Sequence, residues 1–247
     1  MKLNKVEPRY ISKSNPRIGL ITLGSDFRIE KDFNNIIYGR DIDLYVNRIH
    51  CYNPLTNETL AKMAEDITEV TKDILPEQKI DCVAYGCTSG TVAAGYDVIK
   101  EKIHLAKPEA KVTTPITSAI NALKVLGINK ISIFTPYTKT INDSVVNYFE
   151  KENIIINSLT YFDIDSDLDI GKVDEGYLFE VLSKIDLEDS DALFVSCTAL
   201  PVLSIINKLE EKLKKVVLSS NQTLIWDSLN AINYKEKIDG FGKLFNS

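Results

Sequence analysis

"DCVAYGCT", residues 81–88, and "DALFVSCT", residues 191–198, decide how this chain folds. Each opens on an aspartate, runs through a short apolar stretch, and stops at a cysteine followed by threonine. Short apolar runs bounded by small polar residues read as buried strands. Each cysteine then stands at the carboxyl end of a strand, which is where open α/β sheets bind ligands.

The flanks repeat as well. "RIGLIT" (17–22) matches "KISIFT" (130–135), and "KVTTP" (111–115) matches "KVVLS" (215–219). Ile18 lies 69 residues before Cys87, and Ile131 lies 66 before Cys197, so the chain contains an internal repeat. Strands are expected over 17–23, 42–49, 81–87, 111–116, 130–136, 155–162, 191–197 and 215–220. Amphipathic segments lie between them. In "TNETLAKMAEDITEVTKDILP" (56–76), Leu60, Met63, Ala64, Ile67, Val70 and Ile74 recur at helical spacing. Apolar strands alternating with helices predict parallel sheets covered on both faces. The expected fold is therefore α/β: two pseudo-symmetric lobes, each a parallel sheet flanked by helices, with the site in the cleft between them. Residues 1–118 and 222–247 are expected to form the first lobe and 119–221 the second. The closing segment 226–247 reads as a helix and a short tail, with Trp226 in the core.

Composition narrows the function. The 247 residues carry a net charge of −6 and show no basic cluster, which argues against nucleic acid. The mixed run "KLEEKLKK" (208–215) reads as the solvated face of a helix. The amino-terminal segment is polar, and no apolar run is long enough for a membrane span. Four cysteines do not make a disulfide framework in a chain of this length, so a cytoplasmic protein with reduced thiols is expected. His50 and His104 are far apart and no CxxC or HxxxH spacing occurs, so no metal site is expected. The loop "GLITLGS" (19–25) lacks the fingerprints of a nucleotide binder.

Cys51 and Cys82 read as small buried hydrophobes. Cys87 and Cys197 differ, because the small residues after each ("TSGT", "TAL") are expected to start helices. Their backbone amides would then favour thiolate, lower the thiol pKa and face any anion beside it, with Ala199 expected to bind substrate. Thr88, Ser89, Thr91 and Thr198 offer hydroxyls to a carboxylate. The pseudo-symmetry would bring the two thiols face to face across the cleft. One thiolate could then take a proton alpha to a carboxylate while the other thiol supplies one on the opposite face, giving racemisation without a cofactor. Alternatively, one thiolate could add to an activated double bond, allow rotation and leave. A binding module for small carboxylates is the competing class, though pure binding has no need of thiols.

With the cysteine pair, "RIGLITLGSDFRIEKDF" (17–33) and "TPYTKTIND" (135–143), the chain resembles the aspartate/glutamate/hydantoin racemase superfamily from about residue 17 to 230. Within it, the chain is most similar to maleate cis–trans isomerases, arylmalonate decarboxylases and related ectoine-utilisation proteins. The resemblance implies that Cys87 is nucleophile or base and Cys197 its partner, and that Tyr137 contacts substrate. It also implies a small carboxylate or amino-acid-like substrate, no cofactor, and a homodimer as one state open to the chain. Two positions depart from the maleate isomerase pattern. A first loop of the type P-S-S-N, whose asparagine contacts a substrate carboxylate, here reads "LGSDF" with Asp26. A second family asparagine corresponds to Asp167. An aspartate repels a dicarboxylate unless protonated, and suits an ammonium or amide group. The resemblance places decarboxylation lower, because the decarboxylases keep one of the two cysteines. Asp26 also reads as an N-cap of the following helix.

Overall fold

A computed structural model describes residues 1–11, 14–187 and 189–247. The strands are β1 (Arg17–Leu23), β2 (Asp43–Ile49), β3 (Cys82–Gly86), β4 (Lys111–Thr113), β5 (Lys130–Thr135), β6 (Ile155–Tyr161), β7 (Ala192–Val195) and β8 (Val216–Ser219). Among the described residues they form two four-stranded sheets, ordered β2-β1-β3-β4 and β6-β5-β7-β8. Every neighbouring pair is parallel. The sequence repeat is thus a repeat of topology. All eight strands lie where the apolar runs predict them.

The helices are α1 (Ile29–Ile37), α2 (Asn57–Lys62), α3 (Ile67–Lys72), α4 (Thr88–Ala94), α5 (Tyr96–His104), α6 (Pro115–Leu126), α7 (Lys139–Lys151), α8 (Asp167–Gly171), α9 (Glu175–Leu182), α10 (Ile206–Leu213) and α11 (Ser220–Ala231). The inner strands are buried almost throughout, while the edge strands β2 and β6 are partly exposed. One apolar core runs through both lobes. A second fills the other face of the first sheet, where Leu224, Ile225 and Leu229 of α11 meet Ile18, Leu20, Phe33 and Ala84. The chain therefore returns from β8 onto the first lobe. No helix among the described residues is long and apolar enough to cross a membrane.

Three local expectations are corrected. The helix expected over 56–76 is divided, with a 3-10 turn at Met63–Glu65 separating α2 from α3. Periodicity registers the buried face, which is kept, but is blind to a tightening of the hydrogen-bond ladder. The segment after Cys197 is a turn rather than a helix, and α10 begins only at Ile206, after the 3-10 turn Leu203–Ile205. Pro201 supplies no N–H and biases Leu200 towards extended backbone, which delays the helix. Glu210, in the run expected to face solvent, turns inward and accepts from the amides of Val217 (3.1 Å) and Lys243 (3.0 Å).

Candidate active site

Each sheet has one topological switch point, where neighbouring strands send their following connections in opposite directions. In the first sheet it lies between β1 and β3, and in the second between β5 and β7. Asp26 follows β1 and Cys87 follows β3; Tyr137 follows β5 and Cys197 follows β7. The candidate residues are thus pairs generated by the repeat, and their position follows from topology.

Cys87 is the N-cap of α4, its sulfur accepting from the Gly90 amide at 3.2 Å with Ser89 Oγ at 4.0 Å. Thr91 spends its hydroxyl on the Cys87 carbonyl at 2.8 Å, so it is not free for a ligand. Cys197 has φ 93°, a left-handed backbone that costs a non-glycine residue strain. Both sulfurs are almost fully buried. The expectation of lowered thiol pKa values is overturned. Burial pushes Cys87 up, assisted by Asp167 and Cys51, against the pull of the Gly90 amide and Ser89. Burial likewise raises Cys197, with Asp167 and Asp26 adding to it, while the Ala199 amide and the Tyr137 hydroxyl work the other way. Desolvation outweighs the helix-start amides, and the resting state is two thiols.

The two cysteine loops are in direct contact. Thr198 Oγ1 donates to the carbonyl of Gly86 at 3.3 Å, joining the residue after one cysteine to the residue before the other. Ser220 Oγ accepts from Thr88 Oγ1 at 2.9 Å and from the Cys197 amide at 3.0 Å. Tyr137 is buried, and ionisation of either Cys197 or Cys87 raises its pKa further. Thr135 Oγ1 receives the Tyr137 amide at 3.2 Å, and Asn142 holds the Tyr137 carbonyl at 3.0 Å.

Carboxyl groups close the site. Asp26 Oδ1 accepts from the amides of Arg28 (2.7 Å) and Ile29 (3.1 Å) at the start of α1, whose N-cap position is Arg28 rather than the expected Asp26. Its Oδ2 is buried without a hydrogen-bond partner. Burial raises the Asp26 pKa, opposed by those amides, the Thr198 hydroxyl and Arg48. Asp167 is pushed up to about 6 by burial and by Asp26, against a hydrogen bond from Ser25. Residues 163–171 form a strap from the second lobe across the first. The Leu55 amide donates to the Asp165 carbonyl (2.7 Å), the Asp167 amide to Asn53 Oδ1 (3.3 Å), and Arg28 to the Gly171 carbonyl (3.0 Å). Among the described residues no group of three or more His, Cys, Asp and Glu side chains is arranged to hold a metal ion.

With this geometry in place, the sequence profile described as arylmalonate decarboxylase matches residues 42–245. The chain belongs to the arylmalonate decarboxylase family. The resemblance read from its cysteine motifs is borne out. Within the family's reach, this chain is similar to the maleate isomerase of Geobacillus stearothermophilus, 25% identical over 245 residues that cover 93% of this chain and 97% of that one. Its fold is similar to the crystal structure of the maleate isomerase Iso from Pseudomonas putida S16, with a TM-score of 0.84 and 21% identity, covering 93% of this chain and 98% of that one. It is also similar to Nocardia farcinica maleate cis–trans isomerase, solved as a cysteine-to-serine mutant with a covalently bound succinylcysteine intermediate. There the TM-score is 0.85 at 19% identity, covering 93% of this chain and 98% of that one.

In this family member the structure also brings in residues that sequence reasoning missed. Asn221 Nδ2 donates to Asp32 (2.7 Å) and to the Thr198 carbonyl (2.8 Å). Burial raises Asp32 to about 7, and Asp26 adds to the rise. Ser220 and Asn221 begin the helix after β8, so the strand-end rule that found the cysteines would have found them had it been applied to "KVVLSSNQ".

Proposed function

We propose that this protein is a cofactor-independent isomerase that acts on a small carboxylate, with Cys87 and Cys197 working on opposite sides of one carbon. The observation that carries this reading is the 3.3 Å hydrogen bond between Thr198 Oγ1 and the Gly86 carbonyl, which brings the two cysteine loops into direct contact. The resting sulfurs are thiols, so catalysis begins with one of them giving its proton to solvent water and becoming a thiolate. The Gly90 amide offsets that cost at Cys87, and the Ala199 amide with the Tyr137 hydroxyl does so at Cys197. In racemisation the thiolate takes the proton alpha to the carboxylate and the opposite thiol delivers its own, leaving the charge on the second sulfur. In cis–trans isomerisation the thiolate adds to the double bond, the new single bond rotates, and the thiolate leaves again. Thr88 is committed to Ser220 and Thr198 to the Gly86 carbonyl, so the remaining groups for the substrate carboxylate are Ser89 and the amides around Ala199.

The substrate favoured by the site is amino-acid-like. Asp26 Oδ2 is buried without a hydrogen-bond partner, and a carboxylate ligand beside Asp26 and Asp167 meets like charge wherever those groups are ionised. An ammonium or amide N–H supplies the missing donor. Maleate isomerisation is the second reading, favoured by the likeness to the Geobacillus stearothermophilus enzyme over nearly the whole chain.

Incubation in heavy water with amino acids, N-acyl diamino acids, hydantoins and maleate tests both readings. Deuterium at the alpha carbon of a nitrogen-bearing acid is the expected result, and fumarate from maleate would favour the second. Cys87→Ala and Cys197→Ala should each abolish turnover. Full activity in both variants would sink the two-thiol mechanism.

A further inference from the structure

Tyr85 is fully buried on β3, two residues before Cys87 and on the same face of the strand, since both side chains belong to the core shared by the lobes. A buried tyrosine hydroxyl normally finds a partner, and leaving it without one is costly. Tyr85 Oη has none. The glycine at 90 shows where that hydroxyl lies. A Cβ added at Gly90 would stand 2.8 Å from Cys87 Sγ, 3.0 Å from Tyr85 Oη and 3.0 Å from Met63 Cε. Sulfur and phenol oxygen therefore flank one point, with the Met63 methyl closing the third side. Ionisation of Cys87 bears directly on Tyr85, and that of Cys51 does so less. Burial holds the phenol far from ionisation, so it stays a donor when a neighbouring thiol loses its proton.

We propose that Tyr85 is a positioning residue whose hydroxyl donates to the Cys87 sulfur and, together with the Gly90 amide, holds it as the reactive thiolate. The hydroxyl without a partner in the resting thiol state gains one when charge develops on sulfur. A donor that strengthens only as the reacting atom becomes charged is what lowers a barrier. Gly90 is then required for space as well as for its amide, because any side chain there would enter the gap between the two groups. The other groups bearing on Cys87 are Asp167 of α8, Cys51 after β2, Ser89 of α4 and Tyr137 after β5. Of these, Asp167 and Cys51 oppose ionisation, which leaves the donors to favour it. The inference takes from the proposed function only that Cys87 reacts as a thiolate.

Alkylation by iodoacetamide, followed peptide by peptide in the mass spectrometer, tests this without any substrate. It can therefore fail while the isomerase reading stands, and the reverse. In Tyr85→Phe the ring remains and only the hydroxyl is lost. Alkylation of Cys87 should slow by about four- to fifteenfold at each pH below its titration, with Cys197 unchanged. That range allows for the partial gain in nucleophilicity that accompanies a higher thiol pKa. Loss of packing alone would open the cleft and speed both thiols. An unchanged or faster Cys87, or a change confined to Cys51, would overturn the proposal. Should Tyr85→Phe fail to fold, a ring-fluorinated tyrosine installed at 85 gives a stronger donor of nearly the same shape. It should shift the Cys87 alkylation profile to lower pH, and an unmoved profile would overturn the proposal equally.

Discussion

At the scale of single residues, Cys197 carries a backbone cost as well as a thiol. Its φ of 93° belongs to glycine's territory, and a Cβ there is worth about 1–2 kcal/mol of strain. Cys197→Gly and Cys197→Ala should both be inactive, but the glycine variant should unfold at higher denaturant, by about 1 kcal/mol. Equal midpoints would mean that the loop relaxes around alanine. Asp167 supplies a pH test of the substrate. Its carboxyl is raised to about 6, so it becomes ionised as pH climbs through that value. Affinity for a ligand bearing an ammonium should rise across this window and level off above it. Affinity for a dicarboxylate should fall across the same window. Titration calorimetry from acid to neutral pH separates the two, and Asp167→Asn should flatten either limb.

At the scale of elements, the strands were legible because inner strands of a parallel sheet are buried on both faces and spell continuous apolar runs. "LFVSC" and "VAYGC" announce both a strand and where it stops. The cysteine pair was legible for the same reason. What lay beyond reach was the balance between burial and amide donors at those thiols, because desolvation depends on everything packed around the site. Ser220 and Asn221 carry no periodic signature, and only their place at the end of the run "KVVLS" marks them. Ser220 nevertheless fixes how α11 meets the cleft floor, since its one oxygen serves Thr88 and the Cys197 amide. Ser220→Ala leaves that buried amide without an acceptor, at a cost of about 1–3 kcal/mol. Urea unfolding should show the loss, and turnover should fall with KM little changed, because both thiols shift relative to bound substrate. A variant with wild-type stability and turnover would mean that the floor is held by other contacts.

For the whole molecule, carboxyl groups partly or wholly withdrawn from water make stability depend on pH. Asp32 has a folded pKa of about 7 against 3.8 for the free group. Below 3.8 it is protonated in both states and exacts no penalty. As pH rises from 3.8 towards about 7 the unfolded chain ionises first, so the fold loses stability through that window. Asp167 adds to the loss up to about 6. Asp32→Asn keeps an oxygen for Asn221 and removes the proton. The variant should therefore be more stable than the parent near neutrality and should lose part of its decline between acid and neutral pH. Chemical denaturation across that range is the measurement, and parallel curves for the two proteins would refute the assignment.

The same molecule joins its lobes at two levels. The hydrogen bond from Thr198 to Gly86 and the shared oxygen of Ser220 lie at the strand ends, beside the sulfurs. The contacts of residues 163–171 with Ser25, Arg28, Asn53 and Leu55 form a second set, which runs from buried Asp167 beside the thiols out to exposed Leu168. The lobes are thus tied by two separate sets of bonds, so losing the contacts of residues 163–171 leaves the strand-end bonds to hold the cysteine loops together.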